Sequence, residues 1–150
     1  MFERYTEQAK RSLFFARYES SLLGSLSIEP EHLLLGILRE SAAMADLIPA
    51  ETADAIRQEL LQKVGTRPPI SISIEIPFAQ VTKSVLQAAE READAVPHAH
   101  IGTEHLLVAL ATTAPTDAVL EANGFEVSKL RSVIRERGGA RPTRSSDSER

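Results

Sequence analysis

Ser27-Ile28-Glu29-Pro30-Glu31-His32-Leu33-Leu34-Leu35 returns later in the chain as His100-Ile101-Gly102-Thr103-Glu104-His105-Leu106-Leu107-Val108. The offset that carries Glu31 onto Glu104 holds backwards without a gap. It sets Lys10 on Lys83, Leu13 on Leu86, Ala16 on Ala89, Glu19 on Glu92 and Tyr5 on Phe78. An internal repeat is read before any other feature because it fixes the architecture. The expectation is one domain with pseudo-two-fold symmetry.

Each copy reads as helices. Between Glu3 and Leu23, apolar residues recur near helical spacing at Tyr5, Ala9, Leu13, Ala16 and Leu23, and Gly24-Ser25 then interrupts. Pro30 suits the first position of the next helix, where its missing N–H costs nothing. That helix, through Leu33, Leu34, Ile37 and Leu38, is too apolar for a surface element and is expected to be buried. A short third helix over about residues 42–47 and a fourth over 52–64 complete the copy. The second copy predicts helices over about 81–95, 103–111, 116–122 and 128–137, with Asn123-Gly124 as a stop signal. The expected fold class is all-α, a pseudo-two-fold bundle of two four-helix repeats, with about eight helices in all. Repeat one covers residues 1–64, a linker 65–77 and repeat two 78–137, and a Ser-rich tail over 138–150 reads as disordered.

In the linker, Ile70, Ile72, Ile74 and Ile76 alternate with polar residues, a period of two. That pattern suits a short exposed strand open to a partner strand, or an extended linker laying its isoleucines along the groove between the repeats. The linker is the preferred expectation.

Composition narrows the function. Hydrophobic residues make up 43% and charged residues 25%, which suits a globular domain, and a chain of this length buries enough surface to fold alone. Without cysteine, disulfides and thiolate chemistry are excluded. No signal-peptide pattern and no membrane-length apolar run occurs, so the expected location is cytoplasmic and no membrane partner is expected. A net charge of −4 argues against a nucleic-acid partner, since the late arginines from Arg141 onward sit in the tail. No phosphate loop, dinucleotide fingerprint or nucleophile elbow is present, so nothing points to an enzyme or to a cofactor. His98, His100 and His105 lack the HExxH spacing, and no metal is expected.

The repeated Glu-His pair is the constellation left to explain. Glu31 and Glu104 fall in the first turn of their helices, where the helix dipole favours a carboxylate by about 0.3–1 kcal/mol. That is sufficient as a structural role. The functional alternative places two solvent-facing carboxylates beside free helix N–H groups, a spot that offers an anion to a cation and donors to a phosphate. His32 and His105 are expected to be partly buried and to make a structural hydrogen bond.

Met1-Phe2-Glu3-Arg4-Tyr5-Thr6, the doubled Ile-x-x-Glu-His-Leu-Leu, and Gly124-Phe125 with Leu130-Arg131 resemble the N-terminal domain of Clp ATPases, the ClpC type most closely. The resemblance covers residues 1–137. It implies a non-catalytic module that receives substrates and adaptor proteins for the Clp chaperone–protease system, with Clp ATPase or protease components as partners and a monomeric state. In some bacteria this domain binds phosphoarginine with one site per repeat, which by the resemblance would use Glu31 and Glu104 with Thr6 and Thr103. Cyclic-peptide antibiotics dock on a surface matching Phe2, Lys10, Phe78 and Lys83. Two departures stand out: Glu29-Pro30 replaces the family's Gly-Thr in repeat one, and Ala79 replaces a threonine in repeat two. Gly102-Thr103 is intact, which makes Glu104 the better candidate. If the chain stands free of ATPase modules, the resemblance implies an accessory or adaptor protein, or else a decoy that sequesters the ligands of a ClpC-type ATPase.

Overall fold

The computed structural model describes residues 2–40, 44–65 and 67–140, with side chains through residue 137. Among them are seven helices: α1 (Glu7–Leu22), α2 (Pro30–Arg39), α3 (Ala50–Val64), α4 (Gln80–Ala95), α5 (Thr103–Ala111), α6 (Thr116–Ala122) and α7 (Val127–Ala140). The all-α class and the doubled order agree with the expectation, and the helix count differs by one. Residues 42 and 43 of the expected third helix lie outside the described residues. Met44 to Ile48 is a single turn in which the N–H groups of Leu47 and Ile48 both donate to the Met44 carbonyl, each at 2.8 Å. Its counterpart in repeat two is the full helix α6. Helix α7 runs through residue 140, three residues into the segment read as a disordered tail.

The buried centre is made by α2 and α5, as their all-round apolar sequences require. Leu33, Leu34, Leu35 and Ile37 of α2 and Leu106, Leu107, Val108 and Leu110 of α5 are all fully buried. Each such side chain removed from water stabilises the fold by about 1.5–3 kcal/mol. Helix α1 packs along α2, α4 packs along α5, and α2 and α5 also meet each other. The α1–α2 approach is close: a Cβ built on Gly36 would stand 2.3 Å from the Ser12 carbonyl oxygen and 2.7 Å from the Ala16 nitrogen. Only hydrogen fits there.

The two repeats are interlocked by their backbones. Ahead of α1, Tyr5 pairs in parallel with Ile101, and ahead of α4, Phe78 pairs with Ile28. The hydrogen bonds obey the same symmetry. Thr6 N–H donates to Ile101 O (3.0 Å) as Ala79 N–H donates to Ile28 O (3.0 Å), and Ile101 N–H reaches Arg4 O (2.8 Å) as Ile28 N–H reaches Pro77 O (2.8 Å). The opening segment of each repeat is therefore satisfied by the other repeat.

Among the described residues the linker forms no strand. Ile70 N–H donates to Ser21 O, and Ser21 Oγ returns a bond to Ile70 O, both at 2.8 Å. The Arg17 guanidinium donates to the carbonyls of Ile72 (2.7 Å) and Ile74 (3.0 Å). Four of the backbone groups that an edge strand would offer to a partner, the Ile70 N–H and the carbonyls of Ile70, Ile72 and Ile74, are thus engaged by α1. The isoleucines do not all line an inter-repeat groove either: Ile76 is buried, whereas Ile72 and Ile74 are exposed.

Candidate functional site

The exchange of opening segments brings Phe2 to Tyr5 and Phe78 to the two sides of one groove. This cavity, of about 370 Å³, is lined by Phe2, Tyr5, Phe78, Lys83, Leu86 and Glu90, among others. Phe2 meets Tyr5 edge to face, with ring centroids 5.0 Å apart. Burial, with the Glu90 carboxylate as a lesser cause, pushes the Tyr5 phenol up to about 12, so the ring carries a neutral hydroxyl at physiological pH. Arg4 holds the wall in place: it pairs with Asp94 (2.9 Å) and donates to the carbonyls of His98 and Ala99, both at 3.0 Å. Of the four residues expected on the peptide surface, Phe2, Phe78 and Lys83 are brought together. Lys10 is not among the lining residues; it lies exposed on α1, with Glu7 3.5 Å away.

The paired glutamates take different places. Glu104 is 8% exposed and Thr103 is 2% exposed, so the intact motif of repeat two is buried rather than solvent-facing. The Glu104 carboxylate folds back over Gly102, where an added Cβ would meet its Oε1 at 2.2 Å. In repeat one that position is Glu29, whose carboxylate accepts from Ser27 Oγ, and Glu31 is left half-buried. Glu31 lines a polar groove of about 340 Å³ together with Ser25, Ser27, Glu29, His32 and Arg67. The expectation of two solvent-facing carboxylates fails at Glu104, because the glycine beside it leaves room for its side chain to turn inward. Thr6 is the N-cap of α1, its Oγ1 accepting from Ala9 N–H at 3.1 Å.

Both histidines make the structural bond expected of them. His32 Nδ1 accepts the Glu29 N–H (2.9 Å), and His105 Nδ1 accepts the Gly102 N–H (2.8 Å), so each satisfies a backbone donor just outside its own helix. Burial lowers the His32 pKa, against the opposing pull of the Glu29 and Glu19 carboxylates. Residue spacing does not foreshadow that His105 Nε2 also lies 2.8 Å from His98 Nδ1, with the His100 ring stacked on His98.

His98, Glu104 and His105 each bring one possible metal-ligand atom within 4.8 Å of the others. Hydrogen bonds already engage the two histidines of this group. His105 accepts at Nδ1, so its neutral ring carries the proton on Nε2 and donates it to His98 Nδ1. A metal on either of these atoms would have to displace that proton.

The sequence profile of the Clp repeat (R) N-terminal domain matches residues 4–123 and 78–149. The chain belongs to the Clp repeat N-terminal domain family. It is 35% identical over 138 residues to an ATP-dependent Clp protease ATP-binding subunit ClpA homolog of Cyanidium caldarium, covering 89% of this chain and 16% of that protein. To the chloroplastic chaperone protein ClpC2 of Oryza sativa subsp. japonica it is 33% identical over 138 residues, covering 89% of this chain and 15% of that protein. The chain thus spans about one sixth of these relatives. Among solved structures, the ClpD N-terminal domain of Arabidopsis thaliana superposes with a TM-score of 0.67 at 28% identity, covering 92% of this chain and 97% of that one. The Clp N-domain architecture, all-helical and doubled, is the one described above. No helix among the described residues is long and apolar enough to cross a membrane.

Proposed function

We propose that this Clp N-domain is a non-catalytic recognition module of the Clp chaperone–protease system that holds polypeptide in the groove between its repeats. The observation that carries the reading is the convergence of Phe2, Tyr5 and Phe78 with the Lys83 cation in one cavity of about 370 Å³. Aromatic walls supply apolar contact area for a peptide side chain, and a few polar groups orient it. Acting as an accessory or adaptor protein, the domain would pass bound substrates or adaptors to a Clp ATPase or protease. Reduced, carboxymethylated α-lactalbumin, which stays unfolded, is the probe. Removing an aromatic anchor costs about 1.5–3 kcal/mol, so Phe2→Ala is expected to weaken its binding by roughly tenfold or more while the thermal midpoint holds. Equal binding by wild type and Phe2→Ala overturns the reading. A cyclic hydrophobic peptide tested on the same variant examines the decoy role.

One observation favours a second ligand. The groove at Glu31 also includes Arg67, a carboxylate for a guanidinium and a guanidinium for a phosphate, which is the pair of charges phosphoarginine requires. Burial of Thr103 and Glu104 moves this reading from repeat two to repeat one. Calorimetric titration with free phosphoarginine is expected to lose its heat in Glu31→Ala and keep it in Glu104→Ala. The reverse pattern, or no heat with the wild type, removes it.

A further inference from the structure

A third groove is lined by residues of α4 and α7. Its volume is about 240 Å³; Ala95, Val96 and Ile134 line it with Arg91, Arg131 and Arg135, and Glu92 supplies one carboxylate. That carboxylate is already taken. Arg131 donates to it through Nε (3.1 Å) and Nη2 (2.7 Å), which fixes one guanidinium and neutralises it. Among the described residues, neither Arg91 nor Arg135 has a carboxylate within ion-pair distance. Two unneutralised cations therefore border an apolar floor, on a chain whose net charge is −4.

The pseudo-symmetry shows that this groove is a departure and not a by-product of the fold. In repeat one, Tyr18, Leu22 and Leu23 stand where repeat two has Arg91, Ala95 and Val96. When α3 and α7 are aligned on their buried pairs, Ile56/Leu60 and Leu130/Ile134, Leu61 takes the place of Arg135. Repeat one thus keeps bulk and carries no charge at these four positions, and the Arg39 guanidinium sits 5.0 Å over the Tyr18 ring. Repeat two removes bulk at residue 95 and adds charge at residues 91 and 135.

We infer that the α4–α7 groove binds an acidic peptide segment of a partner protein, seating one aliphatic side chain between carboxylates held by Arg91 and Arg135. Guanidinium forks match carboxylates in bidentate geometry, and the apolar floor gives such a peptide an advantage over a bare anion. Among the described residues no aromatic ring lines the groove, so the lining they form lacks the stacking surface that single-stranded nucleic acid uses.

The test is fluorescence anisotropy on the full chain with a fluorescein-labelled peptide, Asp-Glu-Leu-Leu-Glu-Asp, and its amide counterpart, Asn-Gln-Leu-Leu-Gln-Asn. The acidic peptide is expected to bind about tenfold or more tightly than the amide form, and the double variant Arg91→Gln/Arg135→Gln is expected to abolish that difference. Both arginines are exposed, so the variant is expected to keep the wild-type thermal midpoint. Equal binding of the two peptides, or full binding by the double variant, overturns the inference. So does loss of binding in Phe2→Ala, which would place the peptide in the inter-repeat groove, or displacement by inorganic phosphate or oligothymidylate at the peptide's own concentration.

Discussion

Gly36 and His32 show how single residues carry this fold. At Gly36 a methyl group would collide with backbone atoms of α1, which cannot swing aside as a side chain does. Gly36→Ala is therefore expected to destabilise the protein by about 1–3 kcal/mol despite the better helix propensity of alanine, as read by denaturant unfolding. His32 makes the stability pH-dependent. Its folded pKa lies below the ordinary value of 6.5, so between the two values the unfolded chain binds the extra proton. The contribution is complete above about pH 6.5 and is lost as pH falls through the folded value. Lowering the pH from about 7.5 to about 5.5 is expected to lower the thermal midpoint, and His32→Gln should show a shallower fall over the same range. An equal slope in the variant would show that other groups carry the effect.

Elements differ where the two repeats have diverged. Thr6 caps α1 through its side chain, whereas Ala79, in nearly the same backbone conformation (φ −62°, ψ 156°), leaves α4 without a side-chain cap. Ala79→Thr is expected to raise stability by about 0.5–1 kcal/mol and Thr6→Ala to lower it by a similar amount, both measured by chemical denaturation. The helix positions were legible because Pro30, Gly24 and Asn123-Gly124 punctuate a clear apolar period; α5 and α6 have the expected bounds. The segment after α2 was harder. Its apolar residues fit a helix, yet from Met44 onward the chain makes one turn before α3. In the buried pair, Leu34 of α2 and Leu107 of α5 are equivalent and both fully buried, so Leu→Ala at either should cost about 2–5 kcal/mol. A near-neutral result at one of them would break the equivalence.

At the scale of the whole molecule, the interlocked opening segments make the repeats interdependent. Residues 4–6 are hydrogen-bonded by the 101 segment and residues 77–79 by Ile28, while Thr82 Oγ1 donates to Ile28 O at 2.7 Å. A repeat alone would leave those backbone groups and one face of its central helix unsatisfied. Unfolding is expected as one cooperative transition, with calorimetric and van't Hoff enthalpies equal, and residues 1–69 expressed alone should show no cooperative melt. Two separate transitions would contradict this. The sequence by itself determined the doubling, the all-α class, the buried α2 and α5 and a structural hydrogen bond at the two histidines, because each depends on periodicity or on contacts within a few residues. Only the tertiary structure decided that Phe2 and Phe78 share a groove, that Lys10 stays outside it and that Glu104 turns inward. Those outcomes depend on which segment of one repeat satisfies the backbone of the other, and on the space a single glycine leaves, and neither leaves a trace in local spacing.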